Sequence, residues 1–172
     1  ISTAGIRAQS FNLSVLHQFT NGNDDGASPY SELTVGADGV LYGTTWGGGT
    51  NAAGTVFRIN TNGSGFALLH HFGNDDDGSS PLDGVIQAAD GFLYGTTYFG
   101  GTNGNGTVFK VSTNGLIYSI IYRFTNSPDG ANPKCGLVQG QDGALYGTAT
   151  AGGSGQGIVF KISTDGSHFT ML

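Results

Sequence analysis

The chain has 172 residues, which is enough for one domain with a hydrophobic core. Gly occupies 32 positions, aromatic residues make up 11% and charged residues only 10%. The aromatic share excludes a Gly-rich disordered chain, and this composition suits short strands joined by tight turns. Six basic residues against twelve acidic residues give a net charge of −6. A chain with this charge lacks the basic surface that binds nucleic acids or anionic membranes, so we exclude both as partners.

Residues 1–10 differ in character from the rest of the chain. Ile1 to Ala8 are small and weakly apolar, and they precede the polar pair Gln9-Ser10. This pattern is typical of the tail of a signal peptide cleaved near Ala8, and a flexible lead-in is the alternative. No run of the sequence approaches the roughly 20 apolar residues of a membrane span. We therefore expect a secreted, extracellular protein without a membrane-spanning segment.

The segment at residues 11–19 matches two later segments in its pattern of apolar and aromatic residues, at 66–72 and 118–124. Each of those later segments ends a group of apolar runs. We therefore predict that the chain begins with an outer strand at residues 11–19, before the first complete repeat.

An internal repeat then organises the chain. The tetrapeptide LYGT occurs three times at intervals of 52 residues, starting at Leu41, Leu93 and Leu145. An Asp-Gly pair, a Pro and a Val-Phe pair recur with nearly the same step. Similarity at one fixed period is the signature of a repeat architecture. It divides the chain into repeats at about residues 20–72, 73–124 and 125–172.

Each repeat contains four short apolar runs, which in the second repeat are residues 82–89, 92–98, 106–112 and 116–124. Asp-Gly separates the first two runs and Asn-Gly the last two, and these dipeptides favour two-residue hairpin turns. Four antiparallel strands in about 50 residues are typical of a β-propeller blade. We predict an all-β fold in which residues 11–172 form three four-stranded antiparallel blades. Because propellers have typically four to eight blades, this ring is incomplete, and further blades or self-association would complete it.

The repeat also resembles a known family. Its pattern is DG, then DGxLYGTT, GG and GxVFxI, which the first repeat carries at Asp25-Gly26, 38–45, Gly48-Gly49 and 54–59. This pattern resembles the GloVer tandem repeat of choice-of-anchor bacterial proteins, over about residues 11–172. It is also similar to the two-component-regulator type of propeller repeat. The resemblance implies a propeller on a secreted bacterial protein, and it supplies no catalytic residues.

The connections on the two sides of a blade differ in length. One side has only two-residue turns, whereas the other carries long polar loops such as residues 20–29 and 46–54. Recognition residues concentrate in loops on a rigid scaffold. We therefore expect the long-loop face to be the binding surface.

Two aromatic residues on that face, Trp46 and Tyr98, occupy equivalent positions beside Asn51 and Asn103. Flat rings with a few polar neighbours suit a small polar ligand, although packing between blades is the alternative role. We predict a non-catalytic module that binds a carbohydrate or a cell-surface protein through these four residues. The alternatives are a structural or adhesive scaffold that self-assembles through blade edges, and a fragment of a larger extracellular enzyme.

The same loops offer a second chemistry. Asn21, Asn23 and Asp25 follow the spacing of an EF-hand calcium loop, and the second repeat offers Asp75 and Asp77. However, the flanking segments are predicted strands, and an aspartate in such a loop can instead hydrogen-bond backbone N–H groups of its own turn. We expect no cofactor, with Ca²⁺ at these residues as the alternative.

The reactive side chains do not form a catalytic pattern. All four histidines lie in or beside the predicted outer strands: His17, His70, His71 and His168. No Ser-His-acid trio or pair of carboxylates accompanies them, so we predict no enzyme activity. The single cysteine, Cys135, excludes an intrachain disulfide and is expected to be buried and inert.

Overall fold

The computed structural model describes residues 13–73 and 76–172, and this part of the chain contains fourteen strands and no helix. The strands are β1 (Gly26–Ala27), β2 (Thr34–Val35), β3 (Leu41–Thr45), β4 (Gly47–Gly48), β5 (Thr55–Ile59), β6 (Ala67–His71), β7 (Ile86–Gln87), β8 (Leu93–Thr97), β9 (Thr107–Val111), β10 (Tyr118–Arg123), β11 (Val138–Gln139), β12 (Leu145–Ala149), β13 (Ile158–Ile162) and β14 (Thr170–Met171). The predicted all-β class is confirmed. Within the described ranges, no helix is long and apolar enough to cross a membrane. The predicted signal-peptide tail at residues 1–10 lies outside them.

Twelve strands form three antiparallel sheets of four strands each, in chain order. Sheet 1 is β2-β3-β5-β6, sheet 2 is β7-β8-β9-β10 and sheet 3 is β11-β12-β13-β14. The first strand of each sheet is shorter than predicted, with only two residues. In the second repeat, Asp83 lies in the predicted strand but bonds to neighbouring repeats instead, because its carbonyl accepts the Thr44 hydroxyl and its carboxylate accepts the Gly136 N–H.

The outer strand predicted at residues 11–19 is not formed by residues 13–19, and residues 11 and 12 lie outside the described ranges. His17 nevertheless stacks on Phe66 with ring centroids 3.7 Å apart, just as His70 in β6 stacks on Tyr118 in β10. The segment therefore takes the place of a fourth strand beside sheet 1.

A glycine-phenylalanine pair recurs inside every sheet. In sheet 1, Gly43 lies opposite Phe57, and a Cβ at position 43 would come within 2.6 Å of the phenylalanine Cζ. The same relationship holds for Gly95 with Phe109 and for Gly147 with Phe160. The missing side chain at the glycine therefore leaves space for the phenylalanine ring, which lies across the neighbouring strand.

Two hydrophobic cores join successive sheets. The first contains Tyr42 and Val56 of sheet 1 with residues of the second repeat: Val85, Leu93, Phe109 and Val111. The second core repeats this arrangement one repeat later, with Tyr94 and Val108 against residues of the third repeat: Leu137, Leu145, Phe160 and Ile162. Each sheet therefore packs on the next by the same set of contacts.

Candidate functional site

The long loops of each repeat are paired with each other. In the first repeat, β1 and β4 form a short antiparallel ladder in which Gly26 lies opposite Gly48. Single bridges join the corresponding loops of the later repeats, at Ser79 with Phe99 and at Ala131 with Ala151. Gly48 has a φ of +78°, and a Cβ there would lie 2.6 Å from the Gly26 carbonyl carbon. This pairing fixes the loops against the sheets and gives the face a defined backbone.

The aspartate of the Asp-Gly pair closes the first loop. The buried Asp25 carboxylate accepts the N–H and hydroxyl of Thr20 at 2.8 and 2.9 Å, and the N–H of Gly26 at 2.8 Å. His17 Nε2 lies 3.0 Å from Asp25 Oδ1, the oxygen that also accepts the Gly26 N–H. Burial by itself raises the pKa of Asp25, but the hydrogen bonds from His17, Thr20 and Gly26 together outweigh it and lower that pKa.

The equivalent aspartates make equivalent bonds. Asp77 accepts the Gly73 N–H at 2.8 Å and lies 3.0 Å from His70 Nε2. Asp129 accepts the Tyr122 hydroxyl at 2.6 Å and also the hydroxyl of Thr125. In each case, a ring from the preceding outer segment reaches the carboxylate that closes the loop. The sequence offered one signal for this, since an aromatic or histidine residue recurs at positions 17, 70 and 122.

These hydrogen bonds occupy the carboxylates of two aspartates that the sequence suggested as metal ligands. Asp25 and Asp77 use their carboxylates on donors of their own loops, and Asn21 adopts a positive φ while its N–H donates to the Gly26 carbonyl. Asn23 is exposed, and Asp75 lies outside the described ranges. Among residues 13–73 and 76–172, no group of three or more His, Cys, Asp or Glu residues is placed to hold a metal ion. The geometry favours the turn-closing role for Asp25 and Asp77.

Trp46 is the most prominent of the predicted ligand-binding residues. It is 43% exposed and packs edge-on with Tyr30, which is 69% exposed, with ring centroids 6.5 Å apart and planes 63° from parallel. The Trp46 N–H donates to the Ser28 carbonyl at 3.1 Å, which fixes its backbone to the adjacent loop. Tyr30 was not among the predicted residues, although its place beside Pro29 at the end of a long loop could have indicated it.

Tyr98, the equivalent of Trp46, has a different environment. Its ring is half-buried, with Phe99 edge-on at 4.4 Å and the Lys134 ammonium 5.5 Å from its centroid. No ring contact between Tyr98 and Trp46 occurs in the described ranges. The two aromatic residues therefore belong to separate surroundings.

The two predicted asparagines also differ. The exposed Asn51 donates its amide to the Phe72 carbonyl at 3.2 Å and thereby ties its loop to the end of the outer strand. Asn103 is exposed, and its side chain makes no hydrogen bond to the residues that the structure describes. Among the described residues, neither side chain hydrogen-bonds to Tyr30 or Trp46.

The inner ends of the three sheets share a cleft of about 350 Å³. It is lined by residues 32–34, 83–86 and 135–138, which are the segments at and before the first strand of each sheet. Asp83 accepts the Gly136 N–H at 2.6 Å across it. Cys135 lies there and is exposed, so the prediction of a buried cysteine is wrong. Its position is at the opening between repeats rather than inside a core.

Comparison with known proteins supports the repeat interpretation. The family model described as the Gloeobacter/Verrucomicrobia repeat matches residues 5–172, in agreement with the resemblance seen in the sequence. No curated protein matches the chain. A chain in the crystal structure of a nidogen/laminin complex is similar in fold, with a TM-score of 0.58 and 15% sequence identity. The similarity covers 83% of this chain and 47% of that chain, so this chain spans about half of its length.

Proposed function

The chain belongs to the Gloeobacter/Verrucomicrobia repeat family, and from this membership and the geometry above we propose that it is an arc of a β-propeller that binds carbohydrate. In this proposal it is a secreted, non-catalytic module, and its binding site is the aromatic pair of Tyr30 and Trp46. The exposure of both rings on a backbone that is fixed by loop pairing carries the proposal.

The radial arrangement of a propeller is supported by two observations. The first strands of all three sheets border one cleft, as expected of blades that surround a common axis. Successive sheets also pack on each other with the same contacts, which is the way blades follow one another around a ring.

The choice of carbohydrate rests on the chemistry of the two rings. The faces of aromatic rings contact the apolar C–H faces of sugars, while the Tyr hydroxyl and the Trp indole N–H supply hydrogen bonds to sugar hydroxyls. Rings set at 63° to each other form an open corner rather than a flat surface. Such a corner suits the side of one or two sugar rings.

The non-catalytic character is supported by the surroundings of the histidines. His17 and His70 are stacked on aromatic rings and hydrogen-bonded to the aspartates that close the loops. His168 lies in an exposed turn beside Ser167. In the described part of the chain, none of these three stacks on or hydrogen-bonds to Tyr30 or Trp46, and the Thr50 N–H donates to His71 Nδ1 at 3.2 Å.

A glycan-array screen followed by calorimetry tests the proposal. We expect Trp46→Ala to weaken binding of a recognised glycan at least tenfold and Tyr30→Ala to weaken it to a smaller degree. Phe99→Ala is the matched control, because Phe99 is a similarly exposed aromatic residue (47%) in the second repeat, and it should leave affinity unchanged. A folded wild-type protein that binds no glycan would refute the proposal.

Two further arms separate the rival chemistries. Because Asp25 and Asp77 hydrogen-bond within their own loops, removal of divalent cations with EDTA should leave glycan affinity unchanged. Loss of binding with EDTA would instead support the calcium alternative. Release of a shortened sugar from a bound glycan would indicate an enzyme and contradict the non-catalytic assignment.

A further inference from the structure

The long loops of neighbouring repeats are joined to one another by backbone hydrogen bonds. The Ser80 N–H donates to the Ala53 carbonyl at 2.8 Å, and the Asn132 N–H donates to the Asn105 carbonyl at 2.7 Å. Within the second repeat, the Tyr98 N–H donates to the Ser80 carbonyl at 3.2 Å. These bonds run from the first repeat to the third, so they fix the loops of all three repeats relative to one another.

Pro133 of the third repeat packs beside Tyr98 of the second. A Cβ at Gly106 would lie 2.8 Å from Pro133 Cδ and 2.9 Å from the Tyr98 carbonyl oxygen. The Asn132 side chain donates to the same carbonyl at 2.9 Å. The residue that follows Pro133 is Lys134, and it is therefore held next to Tyr98.

The same backbone arrangement lies one repeat earlier, at Trp46. A Cβ at Gly54 would lie 2.8 Å from Pro81 Cδ and 3.0 Å from the Trp46 carbonyl oxygen. The half-buried Leu82 follows Pro81 in the sequence. Leu82 therefore takes the place beside Trp46 that Lys134 has one repeat later.

Five positions of the three repeats thus form a row along the long-loop face, which we call the face row. In order, the face row consists of Tyr30, Trp46, Leu82, Tyr98 and Lys134. Tyr30, Leu82 and Lys134 are equivalent positions, 52 residues apart, but they differ in chemistry. The face row is therefore aromatic in the first repeat and carries a cation at its other end.

Lys134 brings a positive charge to this face. Its side chain is exposed, and its ammonium lies 5.5 Å from the centroid of the Tyr98 ring. Among the described residues Lys134 makes no ion pair, whereas Arg123 and Lys161 are each paired with an aspartate. The net charge of the chain is −6, so a cation without a carboxylate partner is a local attraction for an anionic group.

One carboxylate lies close to the face row along the chain, and its contacts turn it elsewhere. Asp83 follows Leu82, and its carboxylate accepts the N–H groups of Gly84 and Gly136 at 2.8 and 2.6 Å. These residues line the cleft shared by the three sheets. The charge of Asp83 is therefore held by backbone N–H groups at the cleft rather than by the ammonium of Lys134.

We propose that the glycan bound at Tyr30 and Trp46 is acidic, and that its carboxylate or sulfate group lies at the Lys134 ammonium. This inference rests on the proposed carbohydrate function and names the class of sugar. An ammonium acts as a compact point charge and attracts either anion, while Leu82 offers an apolar contact to the sugar between them. Because the aromatic pair and Lys134 lie at opposite ends of the face row, the ligand is an oligosaccharide rather than a single sugar.

Titrations followed by tryptophan fluorescence test this inference, because Trp46 is the single tryptophan of the chain and reports a ligand at the aromatic end. The probes are uronic acid hexasaccharides with their methyl esters, and sulfated hexasaccharides with their desulfated forms. We expect the acidic member of one pair to bind about two- to fivefold more tightly at low salt, as for an exposed ion pair. This preference should disappear at high salt, and a single uronic acid should show none against its methyl ester.

The variant Lys134→Gln should abolish the preference and leave the affinity for the neutral form unchanged. Lys110→Gln is the matched control, because the Lys110 ammonium lies 5.2 Å from the centroid of the Phe92 ring, beside a two-residue turn on the opposite side of sheet 2. This control should keep the preference of the wild type.

The outcomes separate the two levels of the argument. Equal binding of acidic and neutral forms, or a preference that survives in Lys134→Gln, would overturn the acidic ligand and leave the carbohydrate site at Trp46 standing. A folded wild type without affinity for any of the probes or for any glycan of the array would refute the carbohydrate function, and the acidic ligand with it.

Discussion

The imidazole of His70 lies flat on the ring of Tyr118, with centroids 3.5 Å apart and planes 7° from parallel. The two residues belong to the outer strands of successive sheets, and His70 also reaches Asp77 in the loop between them. The same arrangement recurs at His17 with Phe66 and at Tyr122 with Phe169. Stacking and a carboxylate contact thus couple each repeat to the next at the outer rim.

This coupling predicts a loss of stability in acid. Burial raises the pKa of Asp77, but the hydrogen bonds from His70 and Gly73 outweigh it, so its pKa in the folded protein lies below the ordinary value of an aspartate. A carboxyl group whose pKa is lower in the folded than in the unfolded protein stabilises the fold at pH values above its unfolded-state pKa. This contribution is lost as the pH falls through the folded-state pKa. The free energy of unfolding in urea should therefore be constant near neutral pH and fall below about pH 4.

The variant Asp77→Asn tests the assignment of this acid effect. It should lower the free energy of unfolding at pH 7, and its difference from the wild type should shrink as pH falls below about 4. Asp24→Asn is the control, since Asp24 is exposed and its side chain makes no hydrogen bond to the described residues. An equal pH dependence in wild type and Asp77→Asn would show that other carboxyls carry the effect.

Replacing the glycine opposite a core phenylalanine by a residue with a side chain should destabilise the fold. In Gly95→Ala, the new Cβ would lie 2.6 Å from Phe109 Cζ, and overpacking of this kind costs about 1–3 kcal/mol. Gly47→Ala is the control, because its nearest neighbours would lie 3.9 Å away, and it should change stability by less than about 1 kcal/mol. Thermal unfolding gives both values, and equal midpoints for the two variants would contradict the steric argument.

The loop ladder should depend on the absence of a side chain at Gly48. Gly48 and Gly39 both have positive φ, at +78° and +76°, so alanine pays a conformational cost of roughly 1–2 kcal/mol at either position. Only at Gly48 would the Cβ also meet the backbone of Gly26. We expect Gly48→Ala to speed hydrogen exchange of the Gly49 amide, which donates to the Asp25 carbonyl, and Gly39→Ala to leave that exchange unchanged.

Substitution of two buried, hydrogen-bonded threonines by valine should cost different amounts of stability. Thr97 donates its hydroxyl to the Phe99 carbonyl, so Thr107 donates to Thr97 across 2.8 Å. Thr97→Val leaves the buried Thr107 hydroxyl without an acceptor and should cost about 1–3 kcal/mol, whereas Thr107→Val should cost about 0.5–1.5 kcal/mol. The double variant should cost less than the sum of the two single variants, because it leaves neither hydroxyl without its partner. The third repeat has such an apolar pair, Ala149 and Ile158, at the equivalent positions. Urea unfolding of the three variants checks this, and equal single costs would exclude the donor assignment.

The sequence predicted the central strands well because their boundaries carry chemical signals. Asp-Gly and Asn-Gly turns delimit the runs that became β8, β9 and β10, and each observed strand lies inside its predicted run. The pairing of the long loops was not predictable in the same way, since it is made by backbone groups and its only trace is a glycine such as Gly48. Tyr30 was missed because its contact with Trp46 joins two loops of one repeat that are far apart in sequence, and the exposure of Cys135 was missed because it depends on how separate repeats approach each other.

The backbone just after the second strand of each sheet makes the same hydrogen bond in all three repeats. Trp46, Tyr98 and Thr150 each donate their N–H to the carbonyl of the preceding loop, at Ser28, Ser80 and Asn132. The bond that the three positions share is made by backbone atoms alone, and the Thr150 hydroxyl adds a second bond to the Asn132 carbonyl at 3.0 Å. Indole, phenol and a small hydroxyl are therefore accommodated at the same point of the scaffold. In the binding role proposed above, an exchange of the residue at this position would change the surface offered to a ligand without altering this backbone anchor.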